Sequence, residues 1–148
     1  MRKLVILGTA AALALAAGSA GAMGTKPSTS DAPSYSSAEK AVKMQQYRKA
    51  VGMLEKVVAK NPKNVDAYNY LGNSHRQLGE YDKAKGYYAK ALALNPNHRG
   101  ANEYLGQLYL KTGDMNGAKA QLAKLAKICG PGCEEYDSLK AAIDKSNS

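Results

Sequence analysis

The chain has 148 residues, 45% of them apolar by type, with 14 glycines, 10 tyrosines and neither tryptophan nor phenylalanine. That length holds one compact domain, and its 2 cysteines and 2 histidines exclude a multi-bridge scaffold or a four-thiolate zinc centre and leave little for acid–base work. Lys and Arg number 21 against 12 Asp and Glu, a formal net charge of +9 that points to an anionic partner or surface without naming one.

Residues 1–22 read as a secretory signal peptide. Met1-Arg2-Lys3 is a basic start, Leu4 to Ala17 an apolar core, and Ala20-Gly21-Ala22 a small-residue site predicting cleavage before Met23. The apolar run is about 14 residues, short of the roughly 20 that span a bilayer, so cleavage is favoured over an uncleaved anchor. Loss of Arg2 and Lys3 lowers the formal charge of the mature chain from +9 to +7. Residues 23–37 are mostly small or polar, interrupted by Pro27 and Pro33, with Tyr35 the one aromatic. Such a segment buries too little to offset the entropy of ordering and reads as a flexible linker. The expected destination is the periplasm.

A shift of 34 residues carries Asn61-Pro62 onto Asn95-Pro96, and Tyr47, Lys49 and Ala50 onto Tyr81, Lys83 and Ala84. The same shift carries Tyr70-Leu71-Gly72 and Gly79 onto Tyr104-Leu105-Gly106 and Gly113. Agreement in phase twice marks an internal repeat. Within a unit, Tyr68, Leu71 and His75 fall on one helical face, Gly79 breaks the helix, and Tyr81, Ala84, Tyr88 and Ala91 mark a second face before Asn95-Pro96 ends it. Gly72 and Ala84 are small where the two helices cross, and Tyr81 and Tyr88 are expected to fill the wider gaps.

These residues resemble the tetratricopeptide repeat, most closely over 65–98. The third unit, 99–132, keeps Leu105-Gly106, Tyr109, Gly113, Ala118, Leu122 and Leu125 but has Asn102 and Met115 where the pattern prefers bulky or aromatic side chains. The first unit, about 31–64, is degenerate: Ser37-Ala38 replaces Leu-Gly, and no glycine break stands near Gln45, leaving its first helix short, continuous with its successor, or frayed. A stripe of Tyr136, Leu139 and Ile143, behind acidic Glu134, Glu135 and Asp137, predicts a capping helix over about 134–146. The resemblance therefore implies an all-α fold over 38–148, a right-handed helix-turn-helix solenoid of about three units plus the cap. His75 stands at a packing position of the pattern. The closing Cys-x-x-x-Cys-Glu-Glu-Tyr string is similar to that of small exported bacterial members.

Cys129-Gly130-Pro131-Gly132-Cys133 lies between the third unit and the cap. Three intervening residues, and no strand–helix–strand context, separate it from thioredoxin-like motifs; Glu134 after Cys133 excludes a haem attachment site. A structural disulfide suits an oxidising compartment and a Gly-Pro-Gly turn. Redox-active thiols and a two-thiolate metal site are the alternatives.

Tetratricopeptide proteins bind peptide or protein segments on the concave face lined by the first helix of each unit. The resemblance puts Asn69, Asn73, Arg76 and Gln77 of the second unit there, and Glu103, Gln107, Leu110 and Lys111 of the third. The amides can donate to and accept from an extended peptide backbone, while Arg76 and Lys111 attract anions. Missing are the lysines and arginine of the two-carboxylate clamp found in chaperone-binding relatives. Lys49, Lys56, Lys60 and Lys63 form a candidate basic patch on the first unit, suited weakly to an anionic membrane surface; export takes nucleic acid out of reach. With no nucleophile, base or metal set assembled, and no cofactor implied, the expected function is a non-enzymatic scaffold binding a protein or peptide. A thiol-dependent redox or metal-handling protein acting through Cys129 and Cys133 is the second reading, and self-association the third.

Overall fold

In a computed structural model of the chain, residues 33–147 are described. The expected signal peptide and residues 23–32 of the expected linker lie outside them. Regular structure among the described residues is helical: α1 (Tyr35–Lys43), α2 (Tyr47–Lys60), α3 (Val65–Gln77), α4 (Tyr81–Leu94), α5 (Arg99–Lys111), α6 (Met115–Ile128) and α7 (Glu134–Ser146). They pair as α1 with α2, α3 with α4 and α5 with α6, and α7 closes the array against α5 and α6. No described helix is long and apolar enough to cross a membrane.

Helices α1, α3, α5 and α6 start where a side chain satisfies a free N–H group of the first turn. Asn64 Oδ1 accepts from the Ala67 N–H at 2.9 Å, His98 Nδ1 from Ala101 at 3.0 Å and Asp114 Oδ1 from Gly117 at 2.8 Å. Between pairs, Asn61 and Asn95 fold the chain back on Pro62 and Pro96, their carboxamides accepting from the N–H groups of Lys63 and Asn97. Within pairs, one bond recurs at the 34-residue shift: Gln46 N–H to Ala41, Glu80 to His75 and Asp114 to Tyr109, each at 2.8–2.9 Å. That six-residue closure needs a left-handed residue before the donor. Gly79 and Gly113 supply it with φ of 78° and 79°, and Gln45 supplies it at 57°.

Of the alternatives left open for the first unit, the short first helix is the one observed. Its first helix is a discrete nine-residue element that ends in the same turn as the others, with Gln45 in the glycine's place. It also begins at Tyr35, within the stretch read as linker, because Ser34 accepts from the Ser37 N–H and acts as an N-cap.

Apolar side chains gather between successive pairs. Leu54 and Leu71 join the first two, Tyr88 packs with Leu105 and Leu108, and Leu125 packs with Leu139 and Ile143 of α7. Leu54, Leu71, Tyr88, Leu125 and Leu139 are fully buried, each aliphatic contributing roughly 1.5–3 kcal/mol. Tyr81 departs from expectation: it is 37% exposed at the start of α4, whereas Tyr88 is fully buried against Gly72 of α3. Asn102 departs in the other direction. It is fully buried where a bulky residue was expected, and its Nδ2 donates to the carbonyls of Pro96 and His98 at 3.0 and 2.9 Å. Leu139 stands 34 residues after Leu105, so α7 sits in the register of a further first helix.

Candidate functional site

The first helices of the pairs touch in series, α1 on α3, α3 on α5 and α5 on α7, whereas the backbones of α2, α4 and α6 stand further apart. An array closed on one side and splayed on the other is concave on the closed side. Two adjoining clefts occupy that face.

The first, of about 490 Å³, lies at the N-terminal ends of α3, α5 and α7. Its walls are Asp66, Asn69 and Tyr70 of α3, Arg99, Gly100, Glu103 and Tyr104 of α5, and Glu134 and Glu135 of α7, with His98 at the rim. Glu103 is 8% exposed; its Oε1 accepts from the Ser138 hydroxyl at 2.6 Å and from Gln107 Nε2 at 2.9 Å. Burial pushes its carboxyl above the usual range; the Ser138 bond opposes this, Glu135 and Glu134 add to it, and Arg76 opposes it. Arg99 Nε stands 3.6 Å from Glu135. Tyr70 donates to Glu39 at 3.2 Å and stacks near Tyr35, ring centroids 6.1 Å apart. Burial, with the Glu39 charge next, pushes the Tyr70 phenol up to about 12.

The second cleft, of about 500 Å³, lies towards the C-terminal ends of the same helices and is lined by Arg76, Gln107, Leu110 and Lys111 with Ser138, Ala142, Lys145 and Ser146 of α7. Arg76 Nη2 donates to Asn73 Oδ1 at 2.9 Å, and its guanidinium carbon lies 5.5 Å from the centroid of the Tyr104 ring. Arg76 is thus held in a fixed orientation rather than sweeping through solvent.

Of the residues singled out from the sequence, Asn69 and Glu103 line the first cleft, and Arg76, Gln107, Leu110 and Lys111 the second. Asn73 is buried behind Arg76 and orients it. Gln77 is exposed and lines neither. Sequence reasoning missed the contributions of Tyr70, Arg99, Tyr104, Glu134, Glu135 and Ser138, which converge only after stacking; the 34-residue register of α7 was the available signal. His75 is buried, stacks on Tyr87 at 5.2 Å and faces Glu80 through Nδ1 at 2.5 Å, a packing position. That bond, chiefly, holds the half-buried Glu80 carboxyl below its usual range.

Lys49, Lys56 and Lys60 share one face of α2, since steps of seven and four residues return to nearly the same helical angle. With Lys63 in the following turn they are exposed, and they lie in the outer row, away from the two clefts. Cys129 and Cys133 are joined in a disulfide with Cα atoms 6.0 Å apart, bracing the turn from α6 to α7. Their sulfurs and a Glu135 oxygen lie within 4.8 Å of one another, the one grouping of metal-ligand type among the described residues.

Sequence profiles described as tetratricopeptide repeat match residues 65–98 and 105–130. Comparison with curated proteins gives no significant match. Among solved structures, MamA from MSR-1 is similar at 28% identity and a TM-score of 0.59, over 63% of this chain and 53% of that one. The chain thus spans about half the length of that relative. The first tetratricopeptide domain of Spaghetti (RPAP3), bound to the HSP90 peptide SRMEEVD, is similar in fold at 18% identity and TM-score 0.67, over 76% of this chain and 88% of that one. PcrH in complex with the chaperone-binding region of PopD is similar in fold at 16% identity and TM-score 0.67, over 76% and 87%. Proteins built from this repeat are generally interaction modules rather than enzymes. Residues 65–98 and 105–130 are tetratricopeptide repeats, and they sit in an all-α helical solenoid of that kind.

Proposed function

We propose that this protein is an exported, periplasmic interaction module that holds a peptide or an extended segment of another protein in the groove formed by α3, α5 and α7. The observation that carries this reading is the pair of adjoining clefts on the concave face, together about one extended peptide long, lined by amides and charges already oriented by bonds within the protein. Pre-set side chains lose little entropy when a ligand arrives. Structures similar in fold include one bound to an HSP90 peptide and one in complex with a region of PopD, which supports a peptide-holding role. The basic start, apolar core and Ala20-Gly21-Ala22 site support export. A native, low-salt pull-down with the mature chain tests the function: a stoichiometric partner displaced by substitutions in the clefts is expected, and measurable substrate turnover without any partner would overturn it. N-terminal sequencing of the fractionated protein, expected to start at Met23, tests the destination.

The second reading, thiol or metal chemistry at the α6–α7 turn, requires reduction of the Cys129–Cys133 disulfide, which would free two sulfurs beside a Glu135 oxygen. Replacing both cysteines by Ser separates the two. The module loses stability but keeps its partner, whereas a redox or metal-handling protein loses its activity.

A further inference from the structure

The groove is electrically divided. Its first cleft gathers Asp66, Glu103, Glu134 and Glu135 around a single Arg99, although the chain as a whole carries +9. Its second cleft is lined by Arg76 and Lys111, and the described residues in that lining include no carboxylate. We propose, building on the groove reading above, that the occupant is an extended segment of a partner protein in which a Lys or Arg and an Asp or Glu stand three or four positions apart.

Four observations fit the acidic end to a cation. The carboxylates come from three helices and outnumber the one arginine, so a positive side chain completes the charge set. The Tyr70 and Tyr104 rings stand in its wall, and Tyr104 already holds the Arg76 guanidinium 5.5 Å from its centroid, the kind of contact a basic side chain makes. Asn69, 6% exposed and part of the same wall, has an Oδ1 with no hydrogen-bond partner. That unfilled acceptor costs free energy at the wall of the cleft. Glu103 is locked by Ser138 and Gln107, so its carboxylate need not reorganise to receive a donor.

The spacing follows from helix geometry. Glu103 and Lys111 are eight residues apart on α5, about 12 Å at 1.5 Å per residue. An extended chain rises about 3.3 Å per residue, so three or four residues bridge the two ends. Ser138, bonded to Glu103 and lining the basic cleft, makes the passage between them continuous.

The test is selection of a random dodecapeptide display library on the immobilised mature chain, followed by titration of the enriched peptides. Enriched peptides should carry a base and an acid three or four positions apart. Reversing the exposed Glu134 (Glu134→Lys) or the exposed Lys111 (Lys111→Glu) should each weaken them roughly tenfold, about 1.4 kcal/mol. Gly100→Leu, which fills the wall of the first cleft, reports whether a peptide sits in the groove at all, with circular dichroism checking the fold. Peptides lost on Gly100→Leu but lacking the charge pair, or unaffected by either reversal, would overturn this inference and keep the groove reading. Peptides indifferent to all three substitutions, or no enrichment, would overturn both.

Discussion

Gly72 and Tyr88 meet so closely that a methyl group on Gly72 would lie 2.5 Å from Tyr88 Cε1. Tyr88 is fully buried, walled by Leu105 and Leu108 of the next pair, and has nowhere to retreat. In an open helix, exchanging Gly for Ala gains about 0.8–1 kcal/mol. At Gly72 that gain is opposed by overpacking, which typically costs 1–3 kcal/mol. Gly72→Ala should therefore destabilise, by up to roughly 2 kcal/mol. Gly86→Ala, in α4 with nothing within 4 Å of the added carbon, should stabilise. Urea unfolding of the two variants separates steric crossing from helix propensity; stabilisation by both would sink the close-packing account.

Gln45 marks where the first unit departs from the others. It holds a left-handed conformation, φ 57°, that Gly79 and Gly113 adopt without a side chain. A non-glycine residue there costs on the order of 1–2 kcal/mol, part of which returns as the larger unfolded-state entropy of glycine. Gln45→Gly should raise stability by about 0.5–1 kcal/mol, read as a shift in the urea midpoint at constant slope. The side chain is exposed, so no packing is lost. An unchanged or lowered midpoint would show that the turn does not carry the strain.

The units were legible because each constraint is local and recurs: Pro62 and Pro96 end helices, Gly79 and Gly113 turn them, and Leu71, Leu105 and Leu139 keep a 34-residue beat. The short first helix was obscured because a strained Gln45 and a Ser34 cap do the work of the usual signals. Asn102, which departs from the repeat pattern, is a different case. Its carboxamide ties down the Pro96–His98 turn, an option invisible until the carbonyls are placed. The groove was only half legible. Asn69, Arg76, Glu103, Gln107 and Lys111 follow from repeat register, but Glu134 and Glu135 were read only as partners of a helix dipole. Their approach to Glu103 depends on α7 stacking against α5.

His98 joins two consecutive pairs. Its Nδ1 accepts from the Ala101 N–H, which leaves the proton on Nε2, and Nε2 donates to Asp66 at 2.8 Å. The ring thus caps α5 while tying it to the first turn of α3. Removing a cap costs typically about 1 kcal/mol, and the exposed Asp66 end of the pair adds little. His98→Ala should cost about 1 kcal/mol, and His98→Asn, which can cap but cannot reach Asp66 as the ring does, should recover most of it. Hydrogen exchange at Ala101 should accelerate in the alanine variant alone; equal protection in both would remove His98 from the capping role.

The buried carboxyl of Glu103 gives the groove a pH signature. Burial, then the charges of Glu135 and Glu134 on α7, raise its folded-state pKa above the usual 4.5, against the Ser138 bond and Arg76 of α3. The folded protein then holds this proton more tightly than the unfolded chain. The sign follows from linkage: stability contributed by the site is fully present below about pH 4.5 and is lost as pH rises through the higher folded value. Glu103→Gln keeps an oxygen to accept from Ser138 and Gln107 but has no charge to desolvate. It should therefore be more stable than the parent at pH 7, with an advantage that disappears on acidification below about pH 4.5. Thermal melts of both proteins across that range measure the difference. A variant less stable at pH 7 would mean that Arg76 and the two hydrogen bonds outweigh burial, and that Glu103 is held as a stabilising carboxylate. The same substitution removes one charge from the acidic cleft, so peptides selected for a basic residue should bind it more weakly at neutral pH. Stability and affinity are thus expected to move in opposite directions, which a merely structural role for Glu103 would not produce.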